Sequence, residues 1–357
     1  MRMTLPLIER KINNLSIISL TLIFILFLSG CKMSSISMKI LVPADINVPS
    51  HIKKVGIANR SLPDKENKWW NIAEGFITGE SIFADREGSE NTLKGLANQL
   101  NNSPRFTAVI IEGIDLRGSG TRLFPEPLNG EKIDELCKRF DVDALILLET
   151  FDSDIRFKQG QRTVEKKDKE GRKYNEIEYL ADIGINVRSG WRIYDFQNKT
   201  IVDENVFTDE KGWNGTGRTP QAALNALPSK RRAINDAGFF SGTMYGRRIS
   251  PGWTNVSRSY FKKGTAEFKV AKRFVKTNNW DGAGQIWENY INNNDPKVGG
   301  RATYNMAVLN EVKGDLNKAL EWANKSYQDF GLRKAKSYIE TLKRRISDEQ
   351  RLDKQMN

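Results

Sequence analysis

Two rhythms of apolar and polar residues divide the chain. In its middle, apolar runs at 55–59, 106–112 and 142–150 alternate with helically spaced stretches near 91–100 and 131–140. That order reads as strand, helix, strand, helix, strand, and so as a sheet with helices packed on it. A period of two follows, with Tyr179, Ala181, Ile183, Ile185, Val187, Trp191 and Ile193 on one face. Residues 197–199 then make a turn into 201–208, which predicts a half-solvated hairpin. Residues 153–175, rich in Lys, Glu, Asp and Gly, read as a solvated loop or a polar hairpin extension, and are expected to be mobile rather than a contact surface. Thr219 as N-cap and Pro220 at the first helical position open a helix running towards Tyr245 with a break at Pro228. A strand at 253–261 is expected to close this domain.

After Thr265 the rhythm is helical and repeats. A shift of 36 residues aligns Ala266 with Ala302, Phe268 with Tyr304, Ala271 with Ala307, Trp280 with Leu316 and Ala283 with Ala319. Gly314-Asp315 makes a turn in the second copy where the first has Asn278-Asn279. The stripe Leu332, Ala335, Ile339, Leu342 and Ile346 then fits one face of a capping helix. The fold class is therefore α+β or α/β: a mixed sheet with packed helices over 53–262, followed by an all-α stack of helical hairpins over 265–346 and a tail over 347–357.

At the N-terminus Arg2, Arg10 and Lys11 precede an apolar run, 15–28, that is too short to span a bilayer comfortably. The tetrad Leu28-Ser29-Gly30-Cys31 resembles the lipobox of bacterial lipoproteins. The resemblance implies a signal peptide over 1–30, acylation of Cys31 as the membrane attachment, and an anchor linker over 31–52. Lys32, where an Asp is associated with inner-membrane retention, implies the outer membrane. The lack of an acidic cluster after Cys31 implies an orientation towards the periplasm.

Lys and Arg together number 56 against 44 for Asp and Glu, a net charge of +12. For an envelope protein that excess favours anionic headgroups or acidic proteins, and the lipobox argues against nucleic acid as the partner. One His and two Cys exclude a His-rich metal cluster and a disulfide framework. Gly212–Arg218 is glycine-rich and precedes a helix, but it lacks the Lys-Ser/Thr ending of a phosphate loop and reads as a turn. Asp152 and Asp154 lack an opposing group for acid/base work. Cys137 falls in an apolar pattern and reads as a small buried hydrophobe, Trp69-Trp70 as packing aromatics, and His51 as an ordinary surface residue. No catalytic residue, metal or cofactor is expected.

Tyr304-Asn305-Met306-Ala307, Gly314-Asp315-Leu316 and Ala319 resemble the tetratricopeptide pattern. That resemblance implies a concave face gripping extended peptides, lined by Phe268, Lys272, Val275 and Lys276 of the first copy and by Arg301, Tyr304, Val308 and Glu311 of the second. Among these, Phe268, Lys272, Lys276, Arg301 and Tyr304 are the candidate partner-binding residues. The rival reading has the face filled by the neighbouring domain or by the protein's own tail. The order of the α/β elements, with 142–146 after a helix and 191–195 before a turn, looks like the envelope domain of TolB's N-terminal part and of the curli secretion lipoprotein. Pro43–Ile46, Ile52–Val55, Asn59-Arg60 and Arg247–Pro251 resemble a family of uncharacterised Bacteroidota lipoproteins. Together these imply a lipid-anchored envelope scaffold or adaptor that holds an envelope protein or acidic peptide. The alternatives are a subunit of an assembly or secretion ring, and an enzyme acting on cell wall or glycan.

Overall fold

The computed structural model describes residues 33–62, 79–118 and 124–357, with side chains of the first helix described from Arg86 onwards. Cys31 and Trp69-Trp70 lie outside the described residues. The chain forms two compact units, each built from discontinuous segments. An α/β unit comprises Leu41–Trp253 with Gln350–Asn357, and a helical unit comprises the chain up to Ile40 with Thr254–Glu349.

The α/β unit holds a five-stranded mixed sheet. Its strands are β2 (Lys54–Asn59), β3 (Thr107–Ile110), β4 (Ala144–Lys167), β5 (Lys173–Asp195) and β6 (Thr200–Gly217), in the order β3-β2-β4-β5-β6. β2 runs parallel to β3 and β4, whereas β4, β5 and β6 form an antiparallel meander. β2 is apolar in an unbroken run because both faces of the sheet are covered there. One face carries the larger core around Leu96, Leu100, Trp191 and Tyr245, and the other packs on α2 (Gly130–Phe140) through Leu136 and Cys137. Burial pushes the Cys137 thiol up to about 12, as befits a small buried hydrophobe.

On the larger core lie α1 (Gly79–Asn101) and α4 (Lys230–Ile249); the short α3 (Pro220–Asn225) precedes α4, with Thr219 and Ser229 capping them. α1 and α4 touch backbone to backbone. A Cβ on Gly242 would run into the Thr92 carbonyl, one on Gly95 into the Phe239 carbonyl, and one on Gly238 into the Gly88 carbonyl. The glycine run before α3 has a similar role. Gly212–Gly217 is the end of β6, not a turn, and a Cβ at Gly215 would meet the Ala223 carbonyl, so these glycines let α3 lie against the strand.

The segment expected to be mobile is the outer half of a long ribbon. Residues 153–167 of β4 pair residue by residue with 173–187 of β5. Its charges alternate in sign across the strands: Arg162 pairs with Glu178 at 2.7 Å, Lys166 with Glu176 at 2.7 Å and Lys173 with Glu165 at 2.9 Å. At the tip, Asp168 accepts from the Arg172 and Glu170 backbone amides and from the Arg172 side chain, with Gly171 at φ 82°. The polar composition is that of a hairpin extension with two solvated faces. His51 also departs from expectation. Its Nε2 lies 3.0 Å from both oxygens of the buried Asp195, which also accepts from the Gln197 and Asn198 amides and so ties the segment before β2 to the β5–β6 turn.

The helical unit contains α5 (Ala266–Lys276), α6 (Trp280–Glu288), α7 (Pro296–Val312), α8 (Leu316–Gln328) and most of α9 (Arg333–Met356). The 36-residue repeat is visible in the backbone. Asn278 and Gly314, one period apart, both turn left-handed, at φ 57° and 86°. Asn279 and Asp315 then cap the next helix, accepting from the Gly282 and Lys318 amides respectively. Asn thus replaces Gly-Asp at no cost to the turn, because Asn tolerates the left-handed region. Ala271, Ala283, Ala307 and Ala319 are all fully buried. Ala319→Leu should lower stability by about 1–3 kcal/mol through overpacking, while Lys318→Leu, on the exposed side of the same helix, should leave the melting temperature unchanged. Equal melting temperatures for the two variants would show that the helices do not cross at these alanines.

Two segments assigned elsewhere by the sequence complete this unit. β1 (Met33–Val42) and β7 (Gly252–Phe261) form a two-stranded sheet whose inner residues, Met33, Ile36, Tyr260 and Phe261, pack on the helices. Residues 33–40 are therefore structure rather than linker, and β7 closes the helical unit rather than the α/β sheet. The expected tail is helical as well. Gln355, 3% exposed, donates to the Ala44 carbonyl and accepts from the Ala44 amide, both within the α/β unit.

Candidate functional site

The inner face named by the repeat register is filled by the protein's own chain. Phe268 is fully buried with its ring edge-on to Tyr290, and Tyr304, 3% exposed, sits between Phe261 and Tyr338. Asn305 brackets the backbone of β7, its carbonyl oxygen accepting from the Phe261 amide at 2.7 Å and its amide donating to the Phe261 carbonyl at 2.8 Å. Beside it the buried Glu311 takes Arg258 of β7 and Tyr338 and Arg345 of α9. β7 lies on this face as an extended peptide would, with α9 beside it. Phe268 and Tyr304 are consequently core residues with no surface to offer a ligand. Arg301 donates to the Lys263 carbonyl at 3.0 Å and lies over the Phe261 ring, so it too serves the closed face.

Lys272 and Lys276 point the other way. They line a groove of about 320 Å³ together with Lys262, Lys263, Lys269 and Arg273, and no carboxylate contributes to its wall. The sequence builds this directly. Phe268, Ala271 and Val275 hold one side of α5 in the core, which turns Lys269, Lys272, Arg273 and Lys276, spaced i, i+3, i+4 and i+7, onto the opposite side. Lys262 and Lys263 join from the connection between β7 and α5. Glu267, the acidic residue of this stretch, sits in the first turn, where it complements the helix dipole.

Four like-charged neighbours at i,i+3 or i,i+4 on one helix cost about 0.2–0.5 kcal/mol each. Arg273 and Lys276 in the last turn regain a comparable amount from the dipole, roughly 0.3–1 kcal/mol each. The groove is therefore close to neutral in folding energy, while its unbalanced positive potential attracts anions. Lys262, Lys269, Lys272, Arg273 and Lys276 make no ion pair among the described residues. Four of the six lining residues escaped the repeat register because that template looks only at the inner face. Their signal was six basic residues within 262–276.

The α/β unit offers one buried polar cluster. Glu149, whose side chain is inaccessible, accepts from Arg60 at 3.0 Å and from the Tyr194 hydroxyl at 2.9 Å, while Arg192 pairs with Glu204 at 2.6 Å. Burial raises the Glu149 carboxyl above its usual range and takes the Tyr194 hydroxyl to about 12. The cluster stands at the carboxyl end of β2, beside the early part of β4, and the carboxyl ends of parallel strands are a common place for ligands in α/β sheets. Here Arg60 and Arg192 donate instead to the carbonyls of Glu126 and Pro125, so the chain itself fills the position. Asp154 is exposed on the ribbon with no acid/base partner among the described residues, and no group of His, Cys, Asp and Glu there could hold a metal. No described helix is long and apolar enough to cross a membrane.

Comparison with known proteins gives families without an assigned activity. No curated protein matches the sequence. Among solved structures, a PelC dodecamer from Paraburkholderia phytofirmans is similar in two crystal forms, at 10% and 11% identity. They cover 60% and 58% of this chain and 100% and 97% of that one, with TM-scores of 0.22 and 0.19. A neuraminyllactose-binding hemagglutinin homolog from Helicobacter pylori is similar at 9% identity over 57% of this chain and 89% of its own, with a TM-score of 0.24. A domain of unknown function, DUF6340, matches residues 269–344. The model of another domain of unknown function, DUF8603, matches residues 52–261, more than half of the chain, and the chain belongs to that family.

Proposed function

We propose that the chain is a lipid-anchored envelope scaffold of the Bacteroidota type that holds an anionic partner in the cationic groove of its helical unit. The observation that carries this reading is a groove lined by six cations and no carboxylate. The lipobox at Cys31 supplies the anchor. The helical unit is read as a tetratricopeptide pair with a capping helix. Its inner face is occupied by its own strand β7, which leaves the outer groove as the contact surface.

Lys269→Glu combined with Lys276→Glu tests the groove. Both side chains are exposed, so the melting temperature should hold within what about 0.5 kcal/mol allows. Binding of a fluorescent poly-glutamate peptide should be weak in high salt for the parent and fall at least tenfold in the double variant at low salt. Unchanged peptide affinity at unchanged stability overturns the groove. The anchor is tested separately: Cys31→Ser should abolish metabolic fatty-acid labelling, and a labelled variant overturns it.

A further inference from the structure

We propose that the anion filling the groove is the phosphate layer of the bilayer into which Cys31 is anchored, so that the helical unit lies on its own membrane through α5. This deepens the reading above and rests on both the anchor and the groove.

Chain length and the point of attachment hold the start of the groove close to the anchor. β1 begins at Met33, two residues beyond Cys31, and is fixed at once. Met33 and Ile36 pack into the helical core, β1 pairs with β7, and Ser34 hydrogen-bonds the Tyr260 side chain. Three residues of extended chain span at most about 11 Å, and the two from Tyr260 to Lys262 add about 7 Å. With up to about 10 Å for the step across the Ser34–Tyr260 contact, the first lysine of the groove is thus held within about 30 Å of the acylated residue, less than the thickness of a bilayer with its headgroups. A tether this short, ending on a rigid strand, leaves the helical unit little freedom to turn the start of the groove away from the headgroups.

The chemistry of the groove suits such a surface. Lysine ammonium groups are point charges on flexible stems and meet phosphates without a fixed geometry, whereas a dedicated carboxylate site favours the planar fork of arginine. Five of the six lining residues are lysines. Along α5 they recur at i, i+3 and i+7 on the solvent side, the arrangement of a basic helix face lying along an anionic lipid surface. The polybasic patch adds an electrostatic attraction to anionic headgroups to the hold of the lipid anchor.

The test uses the acylated full-length protein, reconstituted into vesicles of phosphatidylcholine alone or mixed with phosphatidylglycerol. A water-soluble amine reagent is followed by mass spectrometry. Lys269, Lys272 and Lys276 should label several-fold more slowly in the phosphatidylglycerol vesicles than in phosphatidylcholine, and high salt should restore their rate. Lys318, exposed and outside the groove, should label equally in all conditions. Equal labelling of the groove lysines in the two vesicle types overturns the membrane assignment. Addition of poly-glutamate to the detergent-solubilised protein separates this failure from that of the broader reading. Protection by peptide but not by phosphatidylglycerol leaves an acidic protein as the partner, and protection by neither removes the groove as an anion site.

Discussion

Gly242→Ala should be among the most damaging single-methyl changes in the α/β unit. The added Cβ would stand inside contact distance of the Thr92 carbonyl, a backbone atom that no rotamer change can move away. Helices α1 and α4 would have to separate, opening the core around Leu96 and Tyr245. The expected loss is at or above the upper end of ordinary overpacking, about 3 kcal/mol. Gly160→Ala is the control, because a Cβ there meets nothing within 4 Å and φ is not positive. It should be neutral or stabilise slightly by restricting the unfolded chain. Chemical denaturation of both variants reads the difference, and a Gly242→Ala protein as stable as Gly160→Ala would refute the backbone contact.

Glu311→Ala should destabilise the helical unit by about 3–5 kcal/mol, the range for breaking a buried ion pair by removing one partner. The carboxylate, inaccessible to solvent, is held by Arg258 at 2.8 Å, Arg345 at 2.8 Å and the Tyr338 hydroxyl at 2.5 Å. Truncation would leave two guanidinium groups largely buried without a counter-charge. Tyr338→Phe removes one hydrogen bond to a charged acceptor and should cost less, about 1.5–3 kcal/mol. The same site sets an acid limit. Burial raises the Glu311 carboxyl, but hydrogen bonds from Arg258, Tyr338 and Arg345 outweigh it and hold the group below its ordinary 4.5. The unfolded chain therefore takes up the proton first, and this contribution, complete above that value, is lost as pH falls through the lowered one. Denaturation curves at successive pH values should show a steeper acid loss for the parent than for Glu311→Ala. Parallel curves would show that Glu311 is not the linked group.

What the sequence made legible were features with a strong local period. Strands β2 and β4 read as apolar runs, and the repeat read through its alanines, even across the replacement of Gly314-Asp315 by Asn278-Asn279. Features that depend on pairing were not legible in the same way. The charged residues of 153–175 look solvated one at a time, and only the register that sets Arg162 opposite Glu178 turns them into a ribbon. Gly238, Gly242 and Gly246 carry a period of four that becomes meaningful only once Gly95 lies opposite. The repeat register sets Phe268 and Tyr304 on the inner face but cannot say whether that face is open or filled, because β1 reads as linker and β7 as part of the other domain. With both strands returned to the helices, the open face is the one bearing Lys272 and Lys276.

The discontinuity of both units bears on how the chain is made. β1 is synthesised about 210 residues before its partner β7, an interval of roughly 10–40 s at ordinary ribosomal rates. Throughout that interval it is an unpaired strand with an apolar side, and closing so long a loop carries an entropic cost. The α/β unit waits as well, because Gln355, which brackets the Ala44 backbone, is among the last residues to be added. Neither unit can therefore mature by simple order of emergence, and a chain terminated before Gln350 would release the α/β unit without its last segment.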